Sequence, residues 1–261
     1  MTARSAILAQ WRVAWMTALQ YRSNFAAEAV MTLFWLGWTI APLLFVFNRS
    51  GAIAGWTWDE ALIVTGFFVT LQGLLEGIVD PNLRAVVEHV RKGTLDFVLL
   101  KPHDAQLLVS FSRTVPAKVF HVLGGLALVV WATARLERPP SPADVAIAAT
   151  LLVTGALALY GLWLMIVSTA FWFVRIDNLS YLLTSVLDAG RWPVSIYQGA
   201  VRFVLTFIVP VGIMTTWPAL ALRGLIDPSA ALVAAGTCAA FLLLSRQVWR
   251  VALRHYSSAS S

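Results

Sequence analysis

Glu76 and Asp80 stand four residues apart in a stretch otherwise built of hydrocarbon side chains, and Asp188 and Arg191 stand three apart in another. At helical spacing each pair shares a face. Ionisable groups at membrane depth are costly, so such pairs mark either a gate or proton path, or a salt bridge near the interface. The salt-bridge reading gives Glu76 and Asp80 the partners Arg84, Arg22 or Lys118, and gives Glu28 the partner Arg22. Asp188 would pair with Arg191, and Trp192-Pro193 immediately after would place them at the outer end of a span. Covalent chemistry has no support. His89, His103, His121 and His255 do not pair at ligand spacing on any one helix. Lys92, Lys101 and Lys118 follow Arg, Leu and Ala, so no Gly-Lys pair is present to hold a nucleotide phosphate. Neither His-Glu-x-x-His nor Gly-x-Ser-x-Gly occurs. We expect no catalytic residue and no metal site.

The elements that would position these charges are membrane helices. The chain is 59% hydrophobic and 12% charged, with a mean hydropathy of +0.76. A soluble domain carries about twice that share of charge. Apolar stretches fall at about 25–47, 60–79, 115–134, 145–174, 178–196, 198–222 and 229–249, several of them long enough to cross a bilayer. The fold class is an all-α polytopic membrane protein. The net charge of +6 is dispersed between these stretches, as orientation signals are, and gives no reason to expect nucleic acid. Cys238 lies alone in an apolar run, so no internal disulfide can form. Residues 1–22 lack the continuous apolar core of a cleavable signal. Within 3–22, Ile7, Leu8, Trp11, Trp15, Ala18 and Leu19 share one face, which fits a helix lying in the membrane interface; the other reading is a solvent-exposed leader.

Seven stretches conflict with the charges. Arg4, Arg12 and Arg22 at one end, and Arg246, Arg250 and Arg254 at the other, place both termini in the cytoplasm, which requires an even number of crossings. The stretch 198–222 is the best candidate not to cross: Pro210, Gly212 and Pro218 interrupt it, as in a re-entrant hairpin. Assigning that role to 178–196 preserves the parity equally well.

The longest polar interruption is 80–104, DPNLRAVVEHVRKGTLDFVLLKPHD, which this topology makes cytoplasmic. Asp80 suits a helix cap, Pro81 the first helical position and Gly93 the end. A second small unit, Thr94 to Leu100, closes at Lys101-Pro102. Its ridge of Leu95, Val98 and Leu99 would bury in a soluble partner, with Asp96 and Lys101 fixing the register by charge.

At RKGTLDFVLLKP (Arg91 to Pro102) the sequence resembles the segment between spans two and three of ABC-2 type permeases. The run RWPVSIYQGAVRFVLTFIVPVGIMTTWPALALRG (Arg191 to Gly224) is similar to the end of the same architecture. The likeness is greatest to a bacterial subfamily grouped with daunorubicin- and viologen-type export permeases. It implies an interfacial N-terminal helix, six spans, and an extracellular re-entrant hairpin before the last. It also implies a place in the bacterial plasma membrane and a second permease, identical or homologous. Two cytosolic ATPase subunits would carry the ATP and Mg2+, with no cofactor on this chain. Gly93, Thr94, Leu95, Asp96, Lys101 and Pro102 match the motif that couples permease to ATPase. The expected function is the membrane subunit of an exporter for a lipophilic or amphipathic substrate. The alternatives are a self-sufficient channel or ion-gradient-driven carrier, and a membrane scaffold.

Overall fold

The computed structural model describes residues 3–173, 184–227 and 229–256. Five helices among them have the length and composition to cross a membrane: α2 (Arg22–Ser50), α3 (Trp58–Lys92), α6 (Pro116–Thr133), α7 (Pro142–Phe171) and α10 (Ser229–Arg254). α1 (Ala3–Gln20) precedes them. The short helices α4 (Asp96–Leu99) and α5 (Ala105–Phe111) lie between α3 and α6. α8 (Gly199–Ile208) and α9 (Gly212–Leu222) form a pair bent by 74°. No strand occurs among the described residues. Of the expected span at 178–196, residues 178–183 lie outside the described residues, as do Arg175 and the Ser257–Ser261 tail. The described remainder is a last helical turn followed by single 3-10 turns at Asp188–Arg191 and Val194–Ile196.

α3 is the axis of the molecule, buried on nearly every side, whereas α2 and α10 keep broad apolar faces outward. Its contact with α6 is backbone to backbone. A Cβ on Gly125 would lie 2.6 Å from the Gly66 carbonyl oxygen, and one on Gly66 would lie 2.7 Å from Val129 Cγ2. Small residues at such a crossing let two helices approach closely, which is how membrane helices gain packing energy without a hydrophobic drive. On the other side α7 takes α9 in the same way: a Cβ on Gly155 would meet Met214 Cα at 2.9 Å.

Asp80 does not cap a new helix. Its φ and ψ of −60° and −45° are helical, and α3 runs on through a π-helical segment, Leu75–Val79, to Lys92. Pro81 has no N–H to return to the Gly77 carbonyl. That carbonyl instead accepts from the Val115 N–H at 2.8 Å and from Thr114 Oγ1 at 3.3 Å. A polar loop thus repairs the ladder that proline breaks, and 35 residues form one rod. Gly93 ends it with φ +64°, the left-handed cap expected of glycine there.

α1 packs by Ile7, Trp11, Ala14 and Ala18, with Trp11 Nε1 donating to the Phe111 carbonyl at 2.8 Å. Leu8, Trp15 and Leu19, expected on that same face, point outward with Val13 and Met16.

Candidate functional site

The polar element after Gly93 is folded firmly onto the helix rod. Thr94 Oγ1 lies 2.8 Å from His89 Nδ1. Leu95 is wholly buried in the same core as Leu83, Val86 and Trp249. Leu95 therefore cannot belong to a docking ridge as the sequence suggests, and Val98 is half spent on the same core. The side chains left outward are Phe97, 71% exposed, and Leu100, 81%, with Leu99 beside them. Arg91, Lys101 and Pro102 are exposed around this ridge, while Gly93, Thr94 and Asp96 are half-buried. The signal that could have found the ridge is the i, i+3 spacing of Phe97 and Leu100; Leu95 competes for it because an isolated turn offers no periodicity to separate inward from outward. α10 holds the element from the far side. The Arg246 guanidinium pairs with the Asp104 carboxylate and donates to Gln106 Oε1 at 2.7 Å. Hydrogen bonding from Arg246 holds the Asp104 carboxyl below its ordinary value.

Midway along the rod lies a charged cavity. Lys118 Nζ bridges Glu28 Oε1 at 2.7 Å and Glu76 Oε2 at 3.0 Å. Gln72 Nε2 donates to Glu76 Oε1 at 3.0 Å, and the Glu28 carbonyl accepts from Thr32 Oγ1, itself 3.0 Å from His121 Nδ1. Asp80 pairs with Arg84 at 2.7 Å. Two of the partners expected for Glu76 and Asp80 are thus found, but Glu28 is held by Lys118 rather than by Arg22. The cavity, about 470 Å³, is walled by Phe68, Leu71, Trp163 and Met214, with Glu76, Asp80, Lys118 and Asp188 at its polar side. Asp188 and Arg191 do pair, at 3.3 Å, and they do so against the middle of α3. The Arg191 carbonyl accepts from Thr65 Oγ1 at 3.2 Å and its guanidinium lies 5.7 Å from the Phe68 ring centroid. Phe68 is ten residues into α3, about 15 Å below Trp58 at 1.5 Å per residue. The backbone around Asp188 leaves regular helix and drops the pair to that depth.

The end of α3 remote from the polar element is organised by Trp56. Its Nε1 donates to Ser195 Oγ at 2.7 Å, and the Arg223 guanidinium lies 4.8 Å over its ring. Arg223 Nε also meets Glu60 Oε1 at 2.6 Å. The segments entering and leaving the α8–α9 pair therefore meet one tryptophan. Between them the chain reaches inward: a Cβ on Gly190 would lie 2.5 Å from Val211 Cγ1 and 3.5 Å from the Phe68 ring. Pro210 and Gly212 stand at the bend. Pro218 does not break the pair, since α9 continues through it after a π-helical start.

One further polar residue escaped the sequence reading. Asn82 has no exposed surface, and its amide reaches the backbone of Arg113 and the carbonyl of Ile78. Among the described residues no group of three His, Cys, Asp or Glu side chains is placed to hold a metal ion.

A chain with five helices long and apolar enough to cross a membrane, an exposed apolar ridge at one end of a continuous rod and an internal charged cavity along it is a multi-pass membrane protein. The family model described as ABC-2 family transporter protein matches residues 33–260, and the chain belongs to that family. No curated protein and no solved structure matches it.

Proposed function

We propose that this chain is the membrane subunit of an ATP-driven exporter, one of two permeases working over two cytosolic ATPase subunits in a bacterial plasma membrane. ATP and Mg2+ reside on those partners. The observation that carries the reading is the exposed Phe97–Leu100 ridge on a polar element otherwise locked into the chain's own core. A large apolar surface rimmed by Arg91, Lys101 and Asp96 is what a soluble partner would cover. In this reading the two termini are cytoplasmic, and the α8–α9 pair is an extracellular re-entrant hairpin; the shared contact of both its ends with Trp56 supports that arrangement.

The mechanical consequence follows from α3. Its 35 residues make a rod about 50 Å long. At one end hangs the docking ridge, at the other the Trp56 contact to the hairpin, and the charged cavity lies between. ATP binding that draws the two ATPases together would move the ridge, and a continuous helix passes that displacement to the outer end. The walls of the cavity, apolar and aromatic with a few charges, suit an amphipathic or lipophilic substrate.

The test is co-purification from membranes with the ATPase encoded beside this chain, followed by ATP hydrolysis in lipid. Wild-type chain should retain the ATPase. Phe97→Asp and Asp96→Arg should insert normally but lose it. A chain that purifies alone under gentle conditions, or a Phe97→Asp chain that retains its partner and its export, would overturn the reading.

A further inference from the structure

A groove of about 600 Å³ runs between α1 and the segment from Phe97 to Arg113. We propose that it binds the phosphate-bearing headgroup of an anionic phospholipid. Its polar lining is Lys101, Arg113, His89, His103, Gln10 and Ser112, and no carboxylate lines it. Two of the nearby acids are already paired. Glu88 is held by Lys92 at 2.5 Å, and Asp104 by Arg246. Among the described residues neither Lys101 nor Arg113 takes part in an ion pair. His89 Nδ1 is engaged by Thr94, so Nε2 is the ring nitrogen left for a ligand. Two cations around one space repel one another, and an anion relieves that repulsion, with the imidazoles as further hydrogen-bonding partners. A phosphodiester fits best, since it accepts charge-assisted hydrogen bonds from a guanidinium and an ammonium at once.

The lipid source follows from the other wall. Ile7, Val98 and Leu108 line the same groove, and a free inorganic ion has no use for them. α1 supplies Ile7 and turns Leu8, Trp15 and Leu19 outward, as a helix lying in a membrane interface does. The groove therefore sits where headgroups lie, with its apolar side positioned for the first carbons of the acyl chains. A lipid there would tie the interfacial helix to the element that carries Leu100, with Phe97 shared between the groove and the exposed ridge.

The experiment is native mass spectrometry of the full chain extracted from vesicles of equal phosphatidylglycerol and phosphatidylcholine, run for wild type, Arg113→Gln and Arg113→Lys. Arg113→Gln leaves the fold in place, because Asn82 holds the backbone of residue 113 and not its side chain. Wild type should retain phosphatidylglycerol in preference to phosphatidylcholine. Arg113→Gln should weaken that retention roughly fivefold, and Arg113→Lys should restore most of it. Equal retention of both lipids by wild type overturns the proposal, as does unchanged retention by Arg113→Gln. Displacement of the lipid by millimolar inorganic phosphate would make this a free-anion site and overturn the lipid source. Loss of the ATPase with lipid retention intact in Arg113→Gln would make the groove a protein-docking surface, which also overturns it.

Discussion

Asn82 grips the backbone of Arg113 from both directions: its Oδ1 accepts from the Arg113 N–H at 2.7 Å, and its Nδ2 donates to the Arg113 carbonyl at 2.6 Å. The same Nδ2 also meets the Ile78 carbonyl at 2.6 Å, and Ser112 Oγ donates to Oδ1 at 3.3 Å. One fully buried amide thus sews the loop before α6 to the π-helical segment of α3.

Removing it leaves buried backbone groups without partners, each costing roughly 1–3 kcal/mol. Asn82→Ala should lower the melting temperature of the purified chain and uncouple ATP hydrolysis from transport, because α3 and α6 are no longer in register. Asn82→Asp should be worse, since a carboxylate cannot donate to either carbonyl. A melting curve like that of wild type for both variants would show that the latch is dispensable.

The segment after Gly93 gives a sharper contrast. Leu95→Ala empties a site within the chain's own core and should cost about 2–5 kcal/mol of stability. Phe97→Asp and Leu100→Asp alter exposed side chains and should shift stability by no more than about 0.5 kcal/mol, while abolishing co-purification of the ATPase. Melting and pull-down measured on the same three variants separate the two effects.

These two cases define what could be read from the sequence. The helical membrane class was legible because 20-residue apolar runs leave few alternatives. The left-handed end at Gly93 and the pairs Asp80–Arg84 and Asp188–Arg191 were legible because local spacing sets them, whereas Lys118 stood only as one of three alternative partners for Glu76 and Asp80. Asn82, Trp56 and Glu28–Lys118 were not, because their partners are 31, 139 and 90 residues away in the chain. Asp80 was misread as a cap since a proline one residue later normally starts a helix. What lets the helix continue is a carbonyl–amide contact with Val115, which no local pattern encodes.

Lys118 should be the least replaceable charge of the cavity. Lys118→Met leaves Glu28 and Glu76 facing each other with nothing between them. Breaking a buried pair costs about 3–5 kcal/mol. These side chains are 23–34% exposed, so the expected loss is smaller, about 1–3 kcal/mol. Adding Glu28→Gln and Glu76→Gln to Lys118→Met should recover most of it. If the triple variant melts no higher than the single one, the bridge is not what Lys118 contributes.

The tie between α10 and the segment after Gly93 should respond to acid. Arg246 holds Asp104 below its ordinary value of 3.8. A carboxyl depressed by folding contributes stability above its unfolded value and loses it as pH falls through the folded one. Wild type should therefore melt above Asp104→Asn at neutral pH, with the gap closing below about pH 4. A constant gap across that range would point to packing rather than charge.

The path of the α8–α9 pair can be read from the outside. Ser195 and Arg223 both contact Trp56, so a re-entrant pair puts both on the outer surface. A crossing pair would put them on opposite sides. The native Cys238 is buried and serves as a silent background. Ser195→Cys and Arg223→Cys should each react with a membrane-impermeant maleimide applied to intact cells. Phe97→Cys should react only after the membrane is opened. Adding Trp56→Ala removes the hydrogen bond to Ser195 and the ring beneath Arg223 together, so labelling at both cysteines should accelerate in parallel. If only one of them labels from outside, the pair crosses the membrane and Trp56 is not a clasp at the mouth of a hairpin.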